Sequence, residues 1–336
     1  MRMPKPAAGS RQLAGFLNAF RKAHIKLRDR ILKSVRGKAA ADLEPSHETQ
    51  GDTIYPVDRL SEDILREVLQ DPAKVAPFLL VAEGFEGNPE GILFRDPLDR
   101  REPEFRVLMD PVDGTRVFSY DKRSAWILTG IAPASSPARL SSVVAALQTE
   151  IPTSKQERME QFWALRGGGA CGELADMSTG GTRPLAPRGS GARNLDHGFA
   201  QISRFFPGKK DVLASIEEEL FASLPSDTPE GKVRIFEDQY ISTGGQFREL
   251  FMGKDRFCAD LRPLVDPRGL ACHPYDVSAL LIAQEAGILV TNPAGEALDA
   301  PIDTTSPVAW VAYANEDLRR LIEPRLQEVL KKRGLL

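Results

Sequence analysis

Phe105-Arg106-Val107-Leu108-Met109-Asp110-Pro111-Val112-Asp113-Gly114-Thr115 is the stretch whose reading decides the fold. Phe105 to Met109 is mostly apolar and reads as a buried strand. Pro111 fixes its own φ and has no N–H to donate, so the strand is expected to stop there. Asp110 and Asp113 then stand at a strand's C-terminal end, where α/β proteins place their ligand sites. Gly114 lets the backbone approach a ligand closely. Asp113 is placed to cap a following helix, whose first N–H groups would face an anion. Carboxylates hold hard cations and backbone amides hold phosphate, so the string points to metal-assisted phosphoryl chemistry. An Asp-Gly step by itself marks an ordinary turn. The whole string behind a strand carries more than that step.

Two further carboxylate stations support the reading. Phe78 to Ala82 is an apolar run that ends in Glu83-Gly84, a second buried strand delivering an acid at its C-terminal end. His273-Pro274-Tyr275-Asp276 precedes Val277 to Gly287, a helix by its Ala and Leu content with Gly287 as its stop. Asp276 sits at or just before the first turn, able to cap it or to face a site. Ile288 to Thr291 reads as a short strand and Asn292-Pro293-Ala294-Gly295 as a turn.

With these residues in view, the chain resembles the inositol monophosphatase and fructose-1,6-bisphosphatase superfamily of magnesium-dependent, lithium-sensitive phosphatases. The family signature Asp-Pro-hydrophobic-Asp-Gly-Thr/Ser is similar to residues 110–115. Its C-terminal pattern of Trp-Asp, an Ala-rich helix, Glu-Ala-Gly-Gly, a strand and a Gly turn is similar to Tyr275 to Gly295. Glu83 matches the first acid of a Glu-Glu step, although Gly84 replaces the second. Asp58, within Ile54-Tyr55-Pro56-Val57-Asp58, and the loop Arg166-Gly167-Gly168-Gly169-Ala170 match further family steps in order.

The resemblance implies an α/β (α+β) fold, a layered αβαβα sandwich. It implies two Mg²⁺ ions and a weaker third. Glu83, Asp110 and the Val112 carbonyl would hold the first; Asp110, Asp113 and Asp276 the second; Asp58 and Glu83 would help the third through water. Thr115 beside Glu83 would orient the attacking water, with Glu83, Thr115 and Asp58 as the catalytic group. Phosphate would meet Asp113, the N–H groups of Gly114 and Thr115, Ser242 and Arg262. The implied reaction is direct in-line attack of water on a small phosphomonoester, without a phosphoenzyme. Lithium inhibition and a homodimer are also implied. Gly84 puts the third ion in question.

Substrate identity is less legible. Arg116 and Phe118 are similar to a Lys-x-Phe step of relatives that hydrolyse adenosine 3′,5′-bisphosphate, which keeps a 3′(2′),5′-bisphosphate nucleotidase-type enzyme open. Arg262, Arg268, Lys209 and Lys210 could meet a second anionic group or belong to solvated loops. A non-catalytic relative that binds a phosphometabolite is the alternative from another class. The five retained residues Glu83, Asp110, Asp113, Thr115 and Asp276 favour the enzyme.

Composition fits a large globular enzyme. Of 336 residues, 42% are hydrophobic and 27% charged, with a formal net charge of −3. That charge gives no global field favouring a nucleic acid polymer. Cys171, Cys258 and Cys272 are too scattered for a disulfide framework or a zinc site, and free thiols suit a cytoplasmic location. No apolar run approaches the ~20 residues of a membrane helix. Residues 1–28 hold seven Lys or Arg and no acid, as a transit peptide would. Yet Leu13, Phe16, Leu17, Phe20, His24, Leu27 and Ile31 recur at helical spacing, so a folded first helix is expected, with His24 packed inside. Gly180 to Gly191 lacks periodicity and is the expected boundary between domains 1–185 and 190–336.

Overall fold

The computed structural model describes residues 8–35, 47–48, 53–54, 64–85, 90–229 and 231–336. Asp58 lies outside the described residues. Helix α1 (Ala8–Val35) opens the chain. Its apolar Phe16, Phe20, Ala23, Leu27 and Ile31 recur every three or four residues and are all buried. Strands β1 (His47–Glu48) and β2 (Thr53–Ile54) form an antiparallel pair, and the short helix α2 (Gln70–Ala73) follows.

An eight-stranded sheet comes next. Its members are β3 (Phe78–Ala82), β4 (Ile92–Phe94), β5 (Phe105–Asp113), β6 (Ala125–Pro133), β7 (Ala145–Ile151), β8 (Arg158–Leu165), β9 (Ala170–Asp176) and β10 (Thr182–Leu185). Helix α3 (Thr115–Ser119) interrupts them after β5. The spatial order is β10-β9-β8-β7-β6-β5-β3-β4. Only β3 and β5 run parallel; the other neighbours are antiparallel.

A five-stranded sheet follows, in the order β12-β11-β13-β15-β14. It comprises β11 (Gly198–Ile202), β12 (Ile235–Phe236), β13 (Asp255–Asp260), β14 (Leu289–Thr291) and β15 (Trp310–Tyr313). Between them run helices α4 (Lys210–Ser223), α5 (Thr243–Phe251), α6 (Arg262–Val265), a 3₁₀ turn Pro274–Val277 and α7 (Leu280–Glu285). Helix α8 (Glu316–Lys332) closes the chain, its first turn capped by the Asn315 side chain accepting from the Leu318 N–H at 2.9 Å.

Side-chain alternation sorts these elements into five layers. Val107 and Met109 of β5 face the core under α1, whereas Leu108 between them faces the opposite core. That second core holds Phe247, Leu250 and Phe251 of α5, Leu280 and Leu281 of α7, and Trp310 and Ala312 of β15. The intervening Val311 and Tyr313 enter a third core with Leu213, Ile216 and Leu220 of α4 and Leu318 and Ile322 of α8. Both sheets are therefore covered on both faces, giving helix, sheet, helix, sheet, helix. The αβαβα expectation is met.

Several local expectations are corrected. β5 does not stop at Pro111 but runs to Asp113 through a register shift. The sequence of Ser141 to Leu147 reads as one strand, but β7 begins only at Ala145, after a 3₁₀ turn at Leu140–Ser142. The single helix expected over Val277 to Gly287 is divided into the Pro274–Val277 turn and α7. Within the aperiodic segment 180–191 lies β10, an edge strand whose Thr182, Arg183 and Pro184 are exposed. Within it only Leu185 packs partly on the core, so no alternation marks it. His24 is fully buried, as expected.

Candidate active site

The irregularity in β5 builds the site. Residues three apart in a regular strand point to opposite faces. Here Asp110 pairs with Leu128 and Asp113 with Trp126, so β5 holds one more residue than β6 between the two pairs. The extra residue turns both carboxylates to the same face. The Asp110 Oδ1 accepts the Val112 N–H at 2.9 Å, bending the chain round Pro111. β3 runs parallel to β5 with Ala82 opposite Met109, and the Glu83 N–H donates to the Met109 carbonyl at 3.2 Å. Glu83 is thereby delivered beside Asp110.

Asp276 arrives from the middle helical layer. It is held in the 3₁₀ turn, where the His273 N–H donates to its Oδ2 at 2.6 Å. Asp110, Asp113 and Asp276 each bring a carboxylate oxygen within 4.8 Å of the others. Asp110 and Asp113 are only 1% and 5% exposed. Burial pushes the Asp110 carboxyl well above the usual carboxylate range, and the charges of Asp113 and Asp276 push it the same way. Burial pushes Asp113 up to about 6, opposed by hydrogen bonds from Ser242, Gly244 and Thr243.

Two buried carboxylates and the half-buried Asp276 converge here, and ionised together they repel one another until a cation joins them. Their donors are all oxygen, which suits a hard divalent ion such as magnesium. The residues present therefore fit the cofactor implied by the sequence.

The remaining expected residues line the same pocket in varied roles. Gly114, at φ +92°, precedes α3 and allows the close approach of Ser242, whose Cβ would be 3.0 Å from a Cβ built there. The Thr115 hydroxyl donates to the Val112 carbonyl at 2.8 Å. Asp113 receives the start of α5. The Ser242 hydroxyl donates to its Oδ2 at 2.7 Å, the Gly244 N–H to the same oxygen at 2.6 Å, and the Thr243 N–H to Oδ1 at 3.2 Å.

Arg262 lines the pocket but is already engaged. Its guanidinium is bonded to Asp260 through Nε at 2.9 Å and Nη2 at 2.5 Å, and stacks 4.6 Å from the Phe205 ring centre. Arg116 stands 4.9 Å from Phe206, and the two phenyl rings meet edge to face at 4.9 Å. Phe205 and Phe206 also line the pocket, and nothing local in the sequence marks them as site residues. Nothing short of the topology could place them: β11 runs parallel to β13 and points its C-terminal loop at the site.

The glycine loop at 167–169 has a different partner. The Gly167 and Gly169 N–H groups donate to the Glu285 carboxylate at 2.6 and 2.7 Å. These two amides, on either side of Gly168, hold the carboxylate and tie the β8–β9 turn to α7.

No family model matches the chain, and no curated protein matches it in sequence. Solved structures do. The extragenic suppressor protein suhB of Bartonella henselae superposes with a TM-score of 0.62 at 19% identity, covering 93% of this chain and 98% of that one. The fructose-1,6-bisphosphatase of Leishmania major gives 0.65 at 13% identity, covering 95% of this chain and 94% of that one. A Thermotoga maritima IMPase gives 0.60 at 16% identity, covering 94% and 98%. The chain has the fold of the inositol monophosphatase and fructose-1,6-bisphosphatase structures. Among the described residues, no helix is long and apolar enough to cross a membrane.

Proposed function

We propose that the protein is a magnesium-dependent phosphoric monoester hydrolase acting on a small phosphorylated metabolite. The observation that carries this reading is the convergence of the buried Asp110 and Asp113 with the half-buried Asp276 within 4.8 Å, on a fold shared with phosphatases. Glu83, Asp110 and the Val112 carbonyl would hold one ion, and Asp110, Asp113 and Asp276 another. Bound magnesium supplies charge neutralisation for the transferring phosphoryl group and acidifies water at neutral pH. The chain's own groups do the positioning. Thr115 keeps its hydroxyl at the pocket, where it can accept a hydrogen bond from the attacking water. Glu83 takes that water's proton. The Gly114 and Thr115 N–H groups meet the phosphate oxygens. The alkoxide would leave opposite the incoming oxygen and take a proton from solvent water to become the alcohol, while Glu83 returns its proton to solvent.

Ser242 has a supporting part in this reading, orienting Asp113. Lithium sensitivity and a homodimer belong to the same reading through the resemblance. The experiment is hydrolysis of p-nitrophenyl phosphate with and without Mg²⁺. Phosphate release only with the metal supports the proposal; none under either condition supports a non-catalytic phosphometabolite binder.

A second reading concerns the leaving group. Phe205, Phe206, Leu270 and Ala271 give the pocket an apolar wall with Arg116 and Arg262 beside it. A polyol's hydroxyls would find no partners on such a wall, whereas a planar base can stack on it. This favours the 3′(2′),5′-bisphosphate nucleotidase-type alternative over an inositol or sugar phosphate. Comparing kcat/KM for adenosine 3′,5′-bisphosphate, inositol 1-phosphate and fructose 1,6-bisphosphate decides between them.

A further inference from the structure

Gly130 lies in the interior of β6, between Leu128 and Ala132, whose side chains face the core shared with α5 and α7. A glycine inside a strand weakens it, so its presence calls for a reason. The turn that carries Asp276 supplies one. A Cβ built at Gly130 would lie 2.5 Å from the Ser278 carbonyl oxygen and 3.3 Å from its carbon. Both partners are backbone, which cannot rotate aside. Gly130 pairs with Leu108 of β5, two residues before Asp110. Ser278, in turn, lies two residues after Asp276. The seat of the turn on the sheet is thus two residues from each of two carboxylates that meet at the cation site.

We propose that Gly130 is a positioning residue for that site: the missing side chain sets how closely Asp276 approaches Asp110. This rests on the metal-dependent reading above. Adding one methyl group forces the turn outward by roughly 1 Å to restore ordinary contact. Mg²⁺ requires short, nearly ideal octahedral bonds, whereas Ca²⁺ accepts longer and more flexible ones. The displacement therefore discriminates between the two ions, which a general loss of packing does not.

The test measures Mg²⁺ and Ca²⁺ binding by isothermal titration calorimetry on the full chain and on Gly130→Ala. Gly189→Ala is the control, since a Cβ there meets the Ala314 carbonyl oxygen at 2.3 Å, away from the site. Gly130→Ala is expected to weaken Mg²⁺ roughly 10- to 100-fold, the range for residues that orient metal ligands, and Ca²⁺ much less. Gly189→Ala is expected to lower the melting temperature while keeping both affinities. Should Gly130→Ala not fold, Val143→Ile crowds the same seat, because the Val143 Cγ2 lies 3.3 Å from the same point. Unchanged Mg²⁺ affinity, or an equal loss for both ions, overturns the positioning role. A wild-type protein that binds neither ion overturns the metal-dependent reading itself, a separate result.

Discussion

The Oδ2 oxygen of Asp113 lies 2.7 Å from the Ser242 hydroxyl, joining the end of β5 to the N-terminus of α5. The same hydroxyl accepts the Gly245 N–H at 2.9 Å, so one side chain caps the helix and orients a proposed metal ligand. The carboxylate is in turn held by two helix amides. The first sheet and the middle helical layer therefore meet at the site itself.

Ser242→Ala removes both bonds. It is expected to destabilise the fold by about 1–2 kcal/mol, the usual cost of losing a helix cap. It should also raise the Asp113 pKa further, since a donor to its ionised form is lost. Urea unfolding checks the first effect, and an unchanged midpoint contradicts it.

Arg248 of α5 reaches Glu160 of β8 in a two-pronged pair, Nε to Oε2 at 2.7 Å and Nη2 to Oε1 at 2.6 Å. Both side chains are largely buried, at 14% and 12% exposed. Glu160→Ala should cost about 3 kcal/mol, because a desolvated guanidinium loses a partner. Replacing both by apolar residues, as in Glu160→Leu with Arg248→Met, should recover most of it. A double variant no more stable than Glu160→Ala contradicts this account.

His24 is fully buried between the hydroxyls of Thr149, 3.0 Å from Nδ1, and Thr129, 2.8 Å from Nε2. Burial lowers its pKa from 6.5 to about 3. The unfolded chain thus binds a proton that the folded chain refuses between those values. Stability is full above pH 6.5 and falls as the pH drops through that window, at 1.36 kcal/mol per unit or about 2 kcal/mol by pH 5. His24→Gln should flatten the fall. Chemical denaturation at pH 7 and pH 5 measures it; the same fall in the variant assigns it to other groups.

What the sequence made legible depended on how local the signal was. Asp110 and Asp113 stand behind an apolar run, and Asp276 before an Ala- and Leu-rich one, so short windows sufficed. The bulge that aligns the first two was hidden, because Pro111 read as a strand end. β13 escaped notice, for Arg256 interrupts a six-residue strand bounded by Asp255 and Asp260. β15 is four residues long, with too little chain to show a period. Asp113 with Ser242 and Glu160 with Arg248 are 129 and 88 residues apart, and nothing in either segment names its partner. Gly130 lies inside β6, and only the Ser278 carbonyl gives it a purpose.

Lithium offers a check on the cation site. A small, hard monovalent ion can compete for a shell of carboxylate and water oxygens. Turnover in high-millimolar LiCl should fall below that in equal NaCl, by a margin that Asp276→Asn reduces. Equal rates in the two salts remove lithium sensitivity from the account.

Asp110 belongs to both proposed ion sites, so it carries the central claim. The direct measurement is phosphate release across a Mg²⁺ titration for the wild type and Asp110→Asn, with circular dichroism to confirm the fold. The account predicts metal-dependent release by the wild type and a loss in the variant of at least ~100-fold that saturating Mg²⁺ does not rescue. Near-normal turnover by a folded Asp110→Asn protein, or wild-type turnover indifferent to Mg²⁺, would contradict it.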